Sequence, residues 1–205
     1  EELLHFVNDN FDLPSQNEIV AEYTAGNVYQ HIELLWNSLL KQGNEEPQGS
    51  LVPLLHPYIV PGGRFREIYY WDSYFTSLGL VAANKTEIAE GMLNNLVALQ
   101  EQLGVIPNGN RSYYCTRSQP PVLALMVHLL QPIKKDRKAF IKRYISAIEN
   151  EYQFWMKGAD KLTLQSNTCE RTVMMPNGSI LNRYWDTEAT PRPESYFEDV
   201  ELANS

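Results

Sequence analysis

The stretch Pro61-Gly62-Gly63-Arg64-Phe65-Arg66-Glu67-Ile68-Tyr69-Tyr70-Trp71-Asp72-Ser73-Tyr74-Phe75 sets two glycines, two arginines, two acids and six aromatic side chains side by side. Gly62-Gly63 makes a backbone turn next to Arg64. A helix follows Asp72 and runs to about Ala83. No Lys-Ser/Thr comes after the glycines, so the turn is not a phosphate-binding loop of the nucleotide-triphosphatase kind.

Outward from this stretch the apolar pattern is mainly helical. Upstream, Asn27 and Gln30 stand at capping-box spacing. Val28, Ile32, Leu35, Leu39 and Leu40 then recur at helical intervals and predict a helix over 28–42. Gly43 and the polar residues to Ser50 form a loop. Downstream, Ile88, Met92, Leu96, Leu99 and Leu103 mark one helical face. Pro120 and Pro121 suit a first helical turn. Val122 to Leu130 is apolar almost all round, which predicts a buried helix with His128 as a hydrogen-bonded core residue. Over 136–157, Phe140, Tyr144, Ile148, Tyr152 and Trp155 fall on one side. Pro176-Asn177-Gly178 between Thr172–Met175 and Ser179–Tyr184 predicts a small β-hairpin near 172–184. The pattern is therefore all-α with one hairpin insertion.

Composition bounds the function. The chain has 205 residues, 43% hydrophobic and 20% charged, as an ordinary globular protein does. A net charge of −8 argues against a nucleic-acid partner. No apolar run is long enough to span a membrane, and no signal-peptide pattern opens the chain. Cys115 and Cys169 lack metal-ligand spacing, and His5, His31, His56 and His128 are scattered. No metal and no cofactor is therefore expected, and the cysteines are read as plain thiols, with a single bridge between them as the alternative. The sequons at Asn84, Asn110 and Asn177 are too short a pattern to carry weight.

Three segments stand apart: Pro61–Asp72, Pro107–Pro121 and Asn182–Glu194. They hold Arg64, Arg66, Arg111, Arg117, Arg183 and Arg192, six of the nine arginines, and none of the eight lysines. Lysine serves solubility equally well, whereas only arginine offers a planar fork that grips two oxygens at once. Beside these arginines stand Trp71, Trp185, Asn108, Asn110, Gln119, Glu67, Asp72, Asp186 and Glu194. Fork donors, amides, carboxylates and flat aromatic faces are what a polyhydroxylated ligand needs. The bland alternative is that the arginines form ion pairs or cap helices and that Trp71 is core.

At these loops the chain resembles the α,α-trehalases. Pro61 to Phe75 is similar to the first signature of that family. Ile106-Pro107-Asn108-Gly109-Asn110-Arg111-Ser112-Tyr113-Tyr114 with Thr116-Arg117-Ser118-Gln119-Pro120-Pro121 resembles the next block. Leu181-Asn182-Arg183-Tyr184-Trp185-Asp186 and Thr190-Pro191-Arg192-Pro193-Glu194-Ser195 resemble a third. The resemblance runs from about Val52 to Asp199, with a bacterial flavour.

The resemblance implies an (α/α)6 toroid, and hydrolysis of trehalose to two glucoses with inversion. Residues 1–205 would then be the N-terminal part of a single catalytic domain, an incomplete ring. The substrate-binding residues it implies are Arg64, Trp71, Asp72, Asn108, Arg117, Ser118, Gln119, Arg192, Pro193 and Glu194. An inverting glycosidase needs an acid and a base roughly 6.5–9.5 Å apart. In the family the acid lies downstream of the block matching Arg192–Glu194, and the base lies further on, beyond Ser205. Neither falls within these residues, and the second family signature, with its Gln-Trp-Asp-x-Pro pattern, is absent as well. The expected partner is a disaccharide, with trehalose as substrate and glucose as product. An open arc of a ring would bare apolar faces, which predicts self-association or marginal stability. The resemblance leaves periplasm and cytoplasm equally open. Two other readings are another (α/α)6 glucosidase and a stand-alone trehalose-binding or regulatory module that keeps the loops without the chemistry.

Overall fold

The computed structural model describes residues 2–10, 26–43, 46 and 49–205. The chain divides into two compact units, residues 1–39 and residues 40–205. The first unit holds two helices, α1 (Glu2–Asn10) and α2 (Val28–Leu39). The Asn27 half of the capping box forms, with Gln30 N donating to Asn27 Oδ1 at 3.0 Å, whereas Gln30 Oε1 accepts from Gly26 N, one residue before the cap, at 2.9 Å. The predicted end at 42 is three residues too far. Leu40–Lys41 instead pairs antiparallel with Tyr58–Ile59, as β1 with β2. Leucine fits a helix and a strand equally, so spacing alone does not mark where cross-chain pairing takes over.

The second unit is built on α3 (Tyr70–Ala82), α4 (Thr86–Leu103), α5 (Leu123–Leu130) and α6 (Arg137–Met156), which pack on one another. Leu80, Met92, Leu93, Leu96, Leu99, Leu123, Met126 and Leu130 fill their common core. Gly104 ends α4 in the left-handed region at φ +76, where a side chain would be strained, and its N–H closes the last turn on Gln100 O. Asp136 opens α6 by accepting from Ala139 N at 2.9 Å.

Three helical expectations change. Pro120 and Pro121 precede α5 instead of forming its first turn. The free N–H groups of Val122 and Leu123 are taken by the Tyr70 hydroxyl, at 2.8 and 2.7 Å, which caps the helix from a distant residue. His128 and Leu125 are exposed, so α5 is buried on one face only. On α6 the buried row is Phe140, Tyr144, Ala147, Glu151 and Trp155, and Tyr152 is exposed. A charged residue sits in that row because the Tyr70 hydroxyl donates to Glu151 Oε1.

The hairpin forms as read, with β4 (Thr172–Met174) and β5 (Ile180–Asn182) paired in the register 172↔182, 173↔181 and 174↔180. Gly178 takes φ +81 in its turn. Thr168–Cys169 (β3) adds a third strand to the sheet, too short to show alternation in sequence. Arg171, 2% exposed, lies 3.8 Å over the Phe154 ring, and Asn182 Nδ2 donates to Trp155 O at 2.7 Å. These two contacts seat the hairpin on α6. A last helix, α7 (Tyr196–Ala203), closes the sequence.

Burial pushes the Glu151 carboxyl up to about 7, against the lowering effect of its hydrogen bonds to Tyr70 and to the Leu123 backbone. Between about 4.5 and 7 the folded chain holds a proton that the unfolded chain has released, so stability falls as pH rises through that window. Relative to Glu151→Gln, the native chain should lose about 2 kcal/mol between about pH 5 and 7.5. Urea denaturation of both proteins at the two pH values measures this. A stability difference that stays constant would show that Glu151 does not titrate in this range.

Candidate sugar site

Asn110 joins the first two loop segments. It is 1% exposed. Its Oδ1 accepts from Ile68 N at 3.0 Å and its Nδ2 donates to Val52 O at 2.9 Å, while Val52 N donates to Asn110 O at 2.8 Å. Beside it, Tyr70 N donates to Asn108 O at 3.1 Å. A Cβ on Gly109 would stand 2.9 Å from Ile68 O and 3.2 Å from the Tyr114 ring, so only glycine allows this approach. Glu67, 6% exposed, accepts from Arg66 N at 3.0 Å, from Tyr69 Oη at 3.0 Å and from Arg111 Nε at 2.7 Å. Arg111 also reaches Ser50 Oγ at 3.1 Å.

Two adjoining clefts open on this frame. The first, about 250 Å3, is lined by Pro61, Phe65, Tyr69, Trp71, Asp72 and Gln119. Gln119 is fixed by Trp71 N, which donates to its Oε1 at 3.0 Å. Trp71 is 44% exposed and packs edge-to-face with Phe75, their rings at 77°. Burial pushes the Asp72 carboxyl above its ordinary range. The second cleft, about 290 Å3, is lined by Arg64, Glu67, Tyr113, Tyr114, Glu194 and Ser195 together with the same Phe65 and Tyr69. Those two rings, 5.5 Å apart edge to face, form the shared wall.

Arg117 gathers the third segment. It is 2% exposed; its Nη1 donates to Asp186 Oδ2 at 3.1 Å, its Nη2 donates to Glu194 Oε1, and its guanidinium lies 5.5 Å over the Tyr114 ring. Thr187 N and Oγ1 both donate to Thr116 O, at 3.2 and 3.0 Å. Arg192 turns away from both clefts, and its fork closes on Asp199 of α7 at 2.9 and 2.6 Å. That bidentate contact holds the Asp199 carboxyl down to about 2. Pro193 opens a short turn, Pro193–Ser195, that aims Glu194 at Arg117. Ser118 is buried and donates to Gln119 O at 3.2 Å. Asn108 Oδ1 and Arg117 Nε are buried without a protein partner.

The geometry thus puts Trp71, Asp72 and Gln119 in one cleft and Arg64 and Glu194 in the other, with Arg117 directly behind. Asn108, Ser118, Arg192 and Pro193 do not line either. Among the described residues no three His, Cys, Asp or Glu side chains gather as metal ligands, and no helix is long and apolar enough to cross a membrane. Cys115 and Cys169 are separate thiols.

The sequence model of the Trehalase family matches residues 6–205. The chain belongs to the trehalase family. It is 46% identical, over all 205 residues, to the periplasmic trehalase of Escherichia coli (strain K12 / DH10B) and to the putative periplasmic trehalase of Escherichia coli O157:H7. It spans 36% of the length of these curated relatives. Its structure is similar to neutral trehalase Nth1 from Saccharomyces cerevisiae, with a TM-score of 0.56 and 36% identity, over 72% of this chain and 26% of that one.

Phe65, Tyr69, Tyr113 and Tyr114 line the clefts of this trehalase-family member in addition to the residues that the family resemblance implies. Their signal was present in the aromatic density of the same loops. Asn110 was counted with the ligand-binding amides but is a structural pin. Asn110→Ala leaves a buried N–H and a buried carbonyl unpaired and should cost about 2–3 kcal/mol. A change below 0.5 kcal/mol in chemical denaturation, roughly the noise of a surface substitution, would free Asn110 for a ligand role.

Proposed function

We propose that the protein containing these residues hydrolyses α,α-trehalose to two glucose molecules with inversion, and that residues 1–205 carry part of the sugar-binding site. In this reading the chain is the N-terminal part of one catalytic domain and an incomplete arc of an (α/α)6 toroid. The observation that carries it is the pair of adjoining clefts in a trehalase-family chain. Each is walled by the same two aromatic rings, and each is supplied with carboxylate, amide or guanidinium groups. Two sites side by side suit a substrate of two joined rings. Trp71 offers a face for the C–H side of one ring, Asp72 and Gln119 take its hydroxyls, and Arg64 and Glu194 serve the other.

Asn108, Ser118, Arg192 and Pro193, which lie outside the two clefts here, join the substrate-binding set in the full-length protein. Arg117 fixes Glu194 and balances the charge it brings to the cleft. The acid and base of the inverting reaction are supplied from outside residues 1–205.

Glucose release from trehalose by residues 1–205, measured beside the full-length protein, is the direct test. Activity in the full-length protein alone supports the reading. Clear activity in residues 1–205 would place acid and base here and make Asp72, Glu67 and Glu194 the next residues to replace. Trehalose binding by the full-length protein without glucose release would favour the binding-module reading. In the full-length protein Arg117→Lys should lower kcat/KM roughly tenfold or more, because an ammonium cannot hold Asp186 and Glu194 in two fixed directions. Unchanged kinetics would remove Arg117 from the site.

Phe75, Leu78 and Leu125 on α3 and α5 are 60%, 41% and 47% exposed. Residues 1–205 alone should therefore self-associate, read as a sedimentation coefficient that rises with protein concentration. A concentration-independent monomer would contradict this.

A further inference from the structure

We infer that Glu67 is a positioning residue: it sets the shared wall of the two clefts through Tyr69, and the seat of Arg117 through Tyr114. The inference rests on the trehalose reading of the same site.

Glu67 lines the second cleft, yet its oxygens are already committed. Oε2 accepts from Arg66 N and from Tyr69 Oη, both at 3.0 Å, and Oε1 accepts from Arg111 Nε at 2.7 Å. A carboxylate with three protein donors, 6% exposed, has little left for a sugar hydroxyl. Its effect lies in what it orients. Tyr69 has one hydroxyl proton and gives it to Glu67. At its 3.1 Å contact with Tyr114 Oη it can then only accept. The chain therefore has one direction, Tyr114 to Tyr69 to Glu67. Tyr69 is a wall of both clefts, so its ring angle sets the width of each. The Tyr114 ring lies under the Arg117 guanidinium at 5.5 Å, which in turn holds Glu194 in the second cleft. Burial and the neighbouring Glu67 push the Tyr69 hydroxyl far above its ordinary value, so the donor proton stays in place at every working pH.

A glutamine at 67 keeps the shape but brings two N–H donors of its own. One must face Arg111 Nε, which then meets a donor instead of an acceptor, or face Arg66 N and Tyr69, which reverses the chain, so either the Arg111 anchor or the fixed direction is lost. A phenylalanine at 69 keeps the wall and removes the link. Both variants should loosen ground-state and transition-state binding alike, which raises KM and leaves kcat nearly unchanged.

The test uses the full-length protein with trehalose as substrate and glucose release as readout. Wild type, Glu67→Gln, Tyr69→Phe and the double variant are compared. Expected are a KM raised roughly tenfold in each single variant, with kcat within about twofold. The double variant should be no worse than the worse single one, because both changes break one chain. Glu67→Asp, which keeps the charge and can still accept from Arg111 or Tyr69, should recover part of the loss. An unchanged KM in folded Glu67→Gln overturns the inference, as does additive damage in the double variant. A hundredfold or larger fall in kcat at constant KM overturns it too, since a group acting in the chemistry behaves that way. If Glu67→Gln fails to fold, Tyr69→Phe with an unchanged KM overturns it alone. Wild type without glucose release sinks the trehalose reading itself, an outcome distinct from all of these.

Discussion

The hydroxyl of Tyr70 is shared by three helices. It belongs to the first residue of α3, accepts the two leading N–H groups of α5, and donates to Glu151 on α6. A helix start leaves its first N–H groups without intrahelical partners, and burying them unpaired would cost several kcal/mol. One phenol settles two of them and, by its own proton, admits a carboxyl group into the core. Tyr70 is fully buried, so neither side of this junction can turn to water instead. The position of α5 and the burial of Glu151 are therefore consequences of where α3 begins.

The same starting point sets the site. Because α3 begins at Tyr70, Trp71 and Asp72 fall in its first turn, beside the backbone of the preceding loop. A first helical turn favours negative charge, whereas burial disfavours it, and for Asp72 burial prevails. Tyr69, the extended residue just before the helix, lines both clefts and forms the wall between them. Read from sequence, this helix starts after Asp72; a helix starting there would leave Tyr70 without its helical neighbours and the N–H groups of α5 uncapped. The long-range contact decides the boundary, and it leaves no mark in local sequence.

What was legible was whatever repeats or concentrates. The row on α4, the extent of α6, the Asn-Gly turn of the hairpin and the Asn27 cap are periodic or local, and all were visible. The arginine-rich loops were visible as composition. What stayed hidden depended on partners far along the chain. Glu151 occupies a core row because of Tyr70, 81 positions away. Tyr152 is exposed because the row steps by three at Ala147 and so passes to Glu151 and Trp155. Asn110 looked like a ligand-binding amide because sequence does not show that Ile68 N and Val52 O await it. The family of the chain was legible in the fifteen residues from Pro61, and most of the side chains that line the two clefts come from those residues or from the loops that touch them.

The arginine enrichment marked loops whose residues line the two clefts, for a partly different reason. Read from sequence, the guanidinium forks waited for a ligand. In the structure most of them are already occupied: Arg111 by Glu67, Arg117 by Asp186 and Glu194, Arg183 by Glu170 O, Arg192 by Asp199. Of the six, Arg64 is the one that lines a cleft. Loops without regular structure lose much entropy on ordering, and a bidentate contact restrains two chain segments at once. A site for a hydroxyl-rich ligand needs acceptors held at fixed angles, and carboxylates in loops do not hold still unaided. The arginines supply that restraint, which lysine, a single point charge on a flexible stem, would supply poorly. For Arg111, Arg117, Arg183 and Arg192 the absence of lysine is then explained by restraint alone, and the carboxylates of Glu67 and Glu194 that they hold line the second cleft beside Arg64.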